Sequence, residues 1–406
     1  MDPRAVPRIV IHALIFESAI SGHRAYYVRL LCEELLRLGI EVTVAIPDVG
    51  APMPEFEIHL GGIGDSVQWI FYPTRDGIHR EADSFINVLN CKNWDHVYCT
   101  CGDVLARQLG QPFARIRRDP QRVIEGLLMR INAAYPETSL AGRTKDLLAE
   151  RLIARCPFDR FHFLDPLSLR RFCGKSGHQQ DSLLMPEAIE PLAVAGRADA
   201  CRVLGVPTDY RYITCPGTVQ DRKGIRELVA AFRMANLPDT RLLLIGKQTT
   251  SMSQYFDDFC GDLLQSEKLV LSNRYVCSAE FDCLFAIADL VCVPYPKHLG
   301  SASILIRASH AGCNIVASDW GWIGWASNRF DLARTCDVND VEMFSDSLTS
   351  SLRSGSDSMT TSPIRESFNQ FHTRDNYVAH WTAFLGQRHG LSTLPTIEFP
   401  ASDANP

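Results

Sequence analysis

A strand, a turn of small residues, a helix and a second strand follow one another between residues 288 and 325. The two strand segments, 289–294 and 314–319, are short, apolar and partly β-branched, as buried strands of a parallel sheet are. The turn at 300–303 reads Gly-Ser-Ala-Ser, and apolar residues at helical spacing follow it. In this geometry backbone N–H groups and a helix dipole point at an anion, most often a phosphate. The stretch therefore predicts either a phosphate site or an ordinary tight turn without a ligand.

The same alternation of strands and helices runs through the chain in two halves. The first half opens with a predicted strand at 8–15, a helix that begins at Gly22 and a second strand at 41–46. A βαβ opening favours a parallel sheet that is covered by helices. After a candidate linker at 185–200 the pattern restarts with a further strand at 210–215. We therefore predict an α/β fold of two Rossmann-like, doubly wound domains that face each other across a cleft.

The domain boundaries follow from this linker and from the C-terminal segment. We assign residues 1–186 to the N-terminal Rossmann-like domain and residues 187–363 to the C-terminal one. A helix at 364–390, rich in aromatic residues between 364 and 385, is predicted to cross back to the N-terminal domain. The proline-containing tail at 391–406 is predicted to be disordered.

Composition argues against several classes of protein. A formal net charge of −6 over 406 residues and a pI near 6.1 give no reason to expect a nucleic-acid partner. No apolar run has the length of a membrane span and the first residues lack the core of a signal peptide, so a cytoplasmic protein is expected. The 14 cysteines are scattered through apolar segments without a CxxC pair, which indicates reduced, buried thiols. No D-x-D motif stands at a strand end, so no metal is expected.

Candidate cations lie near both small-residue turns of the second half. Arg222 and Lys223 belong to the turn that begins near Gly217, and Arg307 lies one helical turn into the helix that follows the 300–303 turn. Doubly wound sheets bind ligands at the carboxyl ends of their strands, where both turns are predicted to lie. Each cation alone would be a surface charge, but together they favour a site for a diphosphate.

The first half offers weaker candidates. Gly22 either admits a ligand close to the backbone or only permits the turn. His23 and Asp103, each at the start of a predicted helix, are either candidate general bases or helix caps. Glu125 and Arg130 form either an acceptor-side pair or, as is commoner, a solvated pair.

A local basic run follows Asp103 in the sequence. It predicts either a solvated helix face or contact with a lipid-phosphate acceptor or an anionic membrane surface. The run consists of Arg115, Arg117, Arg118, Arg122 and Arg130.

Taken in order, these motifs resemble the retaining glycosyltransferases of the GT-B fold, of the family-4 type, over about residues 8 to 386. The segment 217–232 resembles the family's turn G-R-L-x-x-x-K-G and the apolar helix after it. The segment 286–294 resembles the strand A-A-D-v-f-v-x-P. The segment 299–312 falls where the family has E-G-x-G-x-x-x-x-E-A-x-x-x-G.

Three positions depart from the family pattern. Thr218 stands where the family has arginine, and Leu299 and Arg307 hold the places of the two glutamates of the E-x7-E motif. The second glutamate usually holds the ribose hydroxyls, and an arginine cannot accept hydrogen bonds from them. These changes, with the later segment 318–324, resemble a divergent subgroup of the fold.

The resemblance implies transfer of a sugar from a nucleotide-diphosphate sugar to an acceptor hydroxyl, with retention and without a metal or a further cofactor. Lys223 and His23 are the catalytic candidates, and Gly22, His23 and Asp103 would face the acceptor. Lys223 would contact the donor diphosphate. The remaining donor-binding candidates are Gly217, Thr218, Arg222, Arg274, Gly300, Ser301, Ala302, Ser303 and Arg307.

Two rival functions remain at this point. One is a GT-B protein that binds a nucleotide sugar or a partner without turnover, as the replaced glutamates suggest. The other is a sugar-nucleotide epimerase, which would need acid–base carboxylates in the cleft. For a transferase, a carbohydrate or lipid-linked acceptor, synthesis of polysaccharide, glycolipid or glycoconjugate, and peripheral association at the inner membrane face are the expectations.

Overall fold

The computed structural model divides the chain into two compact units. The first comprises Met1–Ala188 and Arg374–Ile397, and the second comprises Ile189–Thr373 and Glu398–Pro406. The structure describes residues 10–22, 24–74, 80–112, 116–117, 119–135, 139–177, 181–193, 196–354 and 362–400. His23 and two arginines of the basic run, Arg115 and Arg118, lie outside the described residues.

The first unit contains a seven-stranded parallel sheet in the order β3-β2-β1-β4-β5-β6-β7. Its strands are β1 (His12–Phe16), β2 (Glu41–Pro47), β3 (Gln68–Tyr72), β4 (His96–Cys99), β5 (Val123–Leu128), β6 (Arg160–Phe163) and β7 (Ser182–Leu184). The helices between them are α1 (Arg24–Arg37), α2 (Pro54–Leu60), α3 (Glu81–Asn90), α4 (Asp103–Leu109), α5 (Leu140–Ala154) and α6 (Pro166–Ser176).

The second unit contains a six-stranded parallel sheet in the order β10-β9-β8-β11-β12-β13. Its strands are β8 (Arg211–Thr214), β9 (Thr240–Ile245), β10 (Leu269–Ser272), β11 (Leu290–Val293), β12 (Ile315–Ser318) and β13 (Arg334–Cys336). Its helices are α7 (Arg197–Leu204), α8 (Ile225–Ala235), α9 (Thr250–Phe259), α10 (Gly261–Gln265), α11 (Ser278–Ala286), α12 (Ser303–His310), α13 (Gly321–Phe330), α14 (Val341–Ser354) and α15 (Pro363–Phe371). A last helix, α16 (Arg374–His389), belongs to the first unit.

The predicted α/β class with two doubly wound sheets is confirmed, and apolar patterning explains it. Every residue of β9 and β11 is buried, as expected of strands that are covered by helices on both faces. Helix α8 buries Ile225, Leu228, Val229 and Phe232 on one face. Burying one such side chain stabilises the fold by about 2 kcal/mol relative to leaving it exposed. All fourteen cysteines are unpaired, and no helix among the described residues is long and apolar enough to cross a membrane.

The C-terminal segment differs from the prediction. A single helix was expected between 364 and 385, but His372 adopts ψ of 67° and separates α15 from α16. The tail, predicted to be disordered from residue 391, instead makes contacts with the fold at several of its described residues, while 392 and 395–398 are exposed. Leu391 and Leu394 lie against the core of the first unit, and the backbone of Ile397 exchanges two hydrogen bonds with the Asn376 side chain. The apolar side chains of the tail find packing partners in the fold despite the prolines of this segment. Residues 401–406 lie outside the described residues.

One prediction about a charged pair was wrong. The pair of Glu125 and Arg130 does not form, because Glu125 lies in the buried strand β5 while Arg130 is exposed. Arg274, a candidate for the donor site, lies beyond the end of β10, which occupies Leu269–Ser272.

A buried hydrogen-bonded triad crosses the centre of the first sheet. The carboxylate of Glu125 lies 2.6 Å from Nε2 of His96 and 2.5 Å from Nε2 of His162, and all three side chains are fully buried. Burial opposes ionisation of Glu125, but the charge of His96 and the hydrogen bonds from both rings outweigh it and lower its pKa to about 2. The triad therefore links three neighbouring strands through one buried, hydrogen-bonded carboxylate.

We predict that Glu125→Gln lowers the free energy of unfolding of the first unit by about 3 kcal/mol at pH 7, because it removes a buried carboxylate that is hydrogen-bonded to two buried histidine rings. The folded-state pKa lies below the unfolded value, so the stability from Glu125 is present above pH 4.5 and is lost as pH falls towards 2. The difference between wild type and variant in urea unfolding should therefore narrow in acid. Glu41→Gln, which removes a half-exposed partner of His12, is the control and should change little. Equal changes in the free energy of unfolding for Glu125→Gln and Glu41→Gln would contradict the stabilising role of the buried triad.

Candidate functional site

In each sheet the strand order reverses at one point, where neighbouring loops diverge and leave room for a ligand. In the first unit this point lies between β1 and β4, and in the second unit it lies between β8 and β11. Gly22 and Asp103 follow β1 and β4, whereas Gly217, Lys223 and the 300–303 turn follow β8 and β11. The sequence-predicted residues are thus grouped at the two edges where ligands are expected.

Backbone segments approach one another closely at the edge of the second sheet. A Cβ on Gly224 would lie 2.0 Å from the carbonyl oxygen of Pro294, and a Cβ on Gly246 would lie 2.3 Å from that of Gly217. Gly217 and Gly224 also have φ of 94° and 68°, which side-chain-bearing residues rarely adopt. The loops after β8, β9 and β11 therefore form one packed layer that only glycines permit.

Lys223 is buried within this layer. Its side chain extends towards Gly217, since Nζ lies 2.8 Å from the position that a Cβ on Gly217 would take. Nζ donates a hydrogen bond to the carbonyl of Pro216 at 2.9 Å and lies 5.7 Å from the centroid of the Tyr295 ring. Burial and the nearby Arg222 lower the pKa of Lys223 to about 8.

The ammonium group of Lys223 has N–H donors that the described residues leave unused. Within the described chain it makes one hydrogen bond, whereas an ammonium has three N–H donors. A buried cation that is only partly paired is energetically costly, and an anion beside it would relieve that cost. The site is therefore suited to a phosphate or diphosphate group.

The N-terminus of α12 lies at the same edge, because β11 pairs directly with β8. Gly300 has φ of 90°, and Ala302 precedes the first helical residue, Ser303, without a side chain that caps the helix among the described residues. Nε2 of His298 lies 2.9 Å from the carbonyl oxygen of Ser301. The first-turn N–H groups of α12 therefore add a positive dipole end to the edge that holds Lys223.

Arg307 is connected to this edge through α11. Its Nη2 donates to Oδ1 of Asp282, and its Cζ lies 5.3 Å from the centroid of the Phe281 ring. The same ring lies 3.8 Å from the position of a Cβ on Gly217. Phe281 thus lies between Arg307 and the backbone that surrounds Lys223. Phe281 and Asp282 were not recognised in the sequence, where they look like ordinary residues of an amphipathic helix.

The other donor-side candidates lie at the periphery of this edge. Thr218 is exposed and accepts a hydrogen bond from Nε2 of Gln220 at 2.7 Å. Arg222 is exposed on the short turn that precedes Lys223. Arg274 follows β10 and pairs with Glu280 of α11 at 2.7 Å.

Asp103, at the edge of the first sheet, holds the neighbouring loop rather than capping its own helix. Its carboxylate accepts hydrogen bonds from the backbone N–H groups of Met129 and Arg130 at 3.1 and 3.2 Å. Burial raises its pKa, although these two bonds oppose the shift. Gly22 has φ of 67° in the turn that leads towards α1.

Glu17 is a buried carboxyl group at the same edge that sequence reasoning missed. It follows β1 directly, and Oε1 accepts hydrogen bonds from the N–H groups of Ser18 and Ala19 at 2.8 and 3.1 Å. Oε2 accepts from the hydroxyl of Thr100 at 2.8 Å, and Nη1 of Arg24 lies 3.3 Å from Oε1. Burial raises the pKa of Glu17 to about 7, although Arg24 and the hydrogen bonds oppose the shift. The sequence signal that could have identified Glu17 is a carboxyl residue directly after β1, a strand that borders the point where the strand order reverses.

No protein-family model and no curated protein matches the sequence. Solved structures match over most of the chain. Sucrose-phosphate synthase from Thermosynechococcus elongatus has a TM-score of 0.72 at 17% identity, covering 93% of this chain and 99% of its own. HepE from Anabaena, in complex with UDP, has a TM-score of 0.68 at 13% identity and coverages of 93% and 100%. A glycosyltransferase from Rickettsia africae has a TM-score of 0.63 at 10% identity and coverages of 94% and 99%. The chain therefore has the GT-B fold of these glycosyltransferases.

We predict that Glu17→Gln changes the pH dependence of stability. Because the folded-state pKa of about 7 lies above the unfolded value of 4.5, the stability from protonated Glu17 is present below pH 4.5 and is lost as pH rises through 7. Glutamine does not titrate, so the variant should gain about 3 kcal/mol relative to wild type between pH 4.5 and pH 8. Urea unfolding of both proteins at pH 4.5 and pH 8 measures this gain. A difference in the free energy of unfolding between variant and wild type that is the same at both pH values would contradict the prediction.

Proposed function

We propose that the chain is a glycosyltransferase that moves a sugar from a nucleoside-diphosphate sugar to an acceptor hydroxyl. The observation that carries the proposal is the buried, incompletely paired ammonium of Lys223 at the reversal point of the second sheet. The N-terminus of α12 and the guanidinium of Arg307 add positive charge around it. The leaving group of such a transfer is a diphosphate, which is the anion that this arrangement suits.

The choice of donor for a first test comes from the fold relatives. HepE was solved with UDP, and an E. coli trehalose-6-phosphate structure was solved with UDP-2-fluoro glucose. We therefore take UDP and UDP-glucose as the first ligands for this chain. In this proposal Thr218, Arg222 and Arg274 lie around the donor, and the backbone of 300–303 holds its distal phosphate.

The proposed chemistry is electrostatic. Negative charge grows on the β-phosphate as the bond to the sugar breaks, and Lys223 with the N–H groups of α12 would stabilise it. Individual donors of this kind typically contribute about 3 kcal/mol to the transition state. The oxygens of Asp103 and Glu17 already accept backbone hydrogen bonds, and the Glu17 side chain is fully buried, so neither carboxyl is placed to take a proton from an acceptor. That favours transfer with retention, in which the departing diphosphate assists the acceptor, and no metal is required.

A protein that binds a nucleotide sugar without turnover is the second candidate. It is favoured by Leu299 and Arg307, which replace the two glutamates of the resembling family, and by the engagement of Arg307 with Asp282. Release of UDP from UDP-glucose, with or without transfer, would exclude this alternative.

We also propose that the first unit contacts an anionic membrane surface through α5. Leu140, Leu147 and Leu148 are exposed on this helix, and Leu140 reaches 81% exposure. Arg143 and Arg151 are exposed on the same helix. Apolar side chains beside cations are the features by which a helix lies on an anionic bilayer.

Vesicle flotation tests this contact. Full-length protein should float with vesicles that contain phosphatidylglycerol and should remain behind with phosphatidylcholine alone. Leu147→Asp with Leu148→Asp should abolish flotation, whereas Val203→Asp, an exposed apolar site on α7, should not. Equal flotation of both variants would contradict the contact.

A thermal-shift screen with UDP, GDP and ADP tests the donor site. A ligand at about one hundred times its Kd should stabilise the protein by about 2.7 kcal/mol, which is visible as a rise in Tm. Lys223→Ala should remove the shift. Lys268→Ala, at the amino end of β10, is the matched control and should keep it. If no nucleotide raises the Tm of the wild type, the proposed function is wrong.

The affinity for UDP should also depend on pH through Lys223. With a pKa of about 8, the ammonium is mostly protonated at pH 7 and mostly neutral at pH 9. A diphosphate needs the charged form, so affinity should fall about tenfold across this range. Isothermal titration at the two pH values measures the change, and a pH-independent Kd would contradict the role of Lys223. In Lys223→Arg, whose side chain stays charged, the dependence should vanish.

A further inference from the structure

Arg307 and Asp282 form an ion pair at the edge of the proposed donor site. Nη2 of Arg307 donates to Oδ1 of Asp282, and the Asp282 side chain is 6% exposed. Oδ2 of Asp282 accepts the backbone N–H of Ala193 at 3.0 Å. Both carboxylate oxygens are therefore occupied within the protein, so Asp282 affects a ligand through Arg307 rather than by touching it.

Arg307 keeps hydrogen-bonding capacity for a ligand. Its side chain is 21% exposed; among the described residues Nη2 makes its one hydrogen bond, to Asp282, and the unpaired Nε is buried. The rings of Phe281 and Phe285 lie 5.3 and 5.9 Å from its Cζ. The guanidinium is therefore confined between a carboxylate and two aromatic rings, with N–H donors that the fold leaves unused.

This confined guanidinium adjoins the backbone around Lys223. The Phe281 ring that faces Arg307 also lies 3.8 Å from the position of a Cβ on Gly217, and Nζ of Lys223 lies 2.8 Å from that same position. The Phe281 ring therefore separates the Lys223 ammonium from the guanidinium, and a donor that touches both must extend around this ring. A second fixed cation matters here because Lys223 alone supplies at most one positive charge against the several charges of a nucleoside diphosphate.

We propose that Asp282 is a positioning residue of the donor site, which holds the Arg307 guanidinium so that it binds the donor diphosphate as a second cation beside Lys223. The inference rests on the proposed function, because it requires a diphosphate at Lys223. Without Asp282 the arginine side chain would be free to turn towards solvent, and ordering it again would weaken binding.

Isothermal titration of the full chain with UDP at pH 7 tests the proposal on four variants. Asp282→Asn and Arg307→Gln remove either partner, and the double variant removes both. Asp262→Asn is the matched control, because it breaks the exposed ion pair with Arg233 in the same unit. Thermal melts of each variant set the titration temperature well below unfolding, so that a loss of fold is not counted as a loss of binding.

The expected result is a Kd raised at least fivefold by Asp282→Asn and about tenfold by Arg307→Gln. The double variant should match Arg307→Gln within twofold, since Asp282 has no route to the ligand once Arg307 is gone. Asp262→Asn should bind as the wild type does. If Asp282→Asn acted only by damaging the structure, the Kd of the double variant for UDP would be higher than that of Arg307→Gln.

Three results would overturn the inference. Wild-type binding with an unchanged Kd in Asp282→Asn rejects it and leaves the proposed function standing. Additive losses in the double variant show that Asp282 acts apart from Arg307 and also reject it. Absence of UDP, GDP and ADP binding in the wild type rejects the proposed function and the inference with it.

Discussion

A buried ammonium group is the constraint around which the carboxyl edge of the second sheet is arranged. The Lys223 ammonium is buried, and within the described part of the chain one backbone carbonyl accepts a hydrogen bond from it; this desolvation lowers its pKa. The glycines at 217 and 224 permit the close backbone contacts that bury it. An apolar side chain there would pack without this penalty, so a lysine in this position is explained best by an anion that joins it.

The carboxyl edges of the two sheets differ in their buried charged groups. In the second unit the α12 N-terminus, Lys223 and the guanidinium of Arg307 present positive charge at one sheet edge. In the first unit the corresponding edge buries Glu17 and Asp103, whose oxygens hold backbone N–H groups in place. The buried lysine thus belongs to the second unit, while the edge of the first unit is built around hydrogen-bonded carboxyl groups.

The local sequence pattern predicted those strands and turns whose formation depends on neighbouring residues. Strands β2, β9, β11 and β12 and the glycine-containing turns are visible as apolar runs and small residues, and they imply the doubly wound sheets. Hydrogen bonds and ion pairs between residues far apart in sequence could not be predicted from this pattern. Glu17 meets Thr100 across 83 positions, and Arg307 meets Asp282 across 25. Glu125 looked solvated because its histidine partners come from two other strands, and the tail looked disordered because its apolar residues find partners only in the folded chain.

Carbon-13 NMR of the Lys223 side chain tests the central claim most directly. Protein labelled at the lysine ε-carbons, with the signal assigned by its loss in Lys223→Arg, should titrate with a pKa near 8 in the absence of ligand. Saturating UDP should raise that pKa by at least one unit, because a neighbouring diphosphate favours the charged form. A pKa near 10.5 without ligand, or a titration that UDP leaves unchanged, would contradict the account.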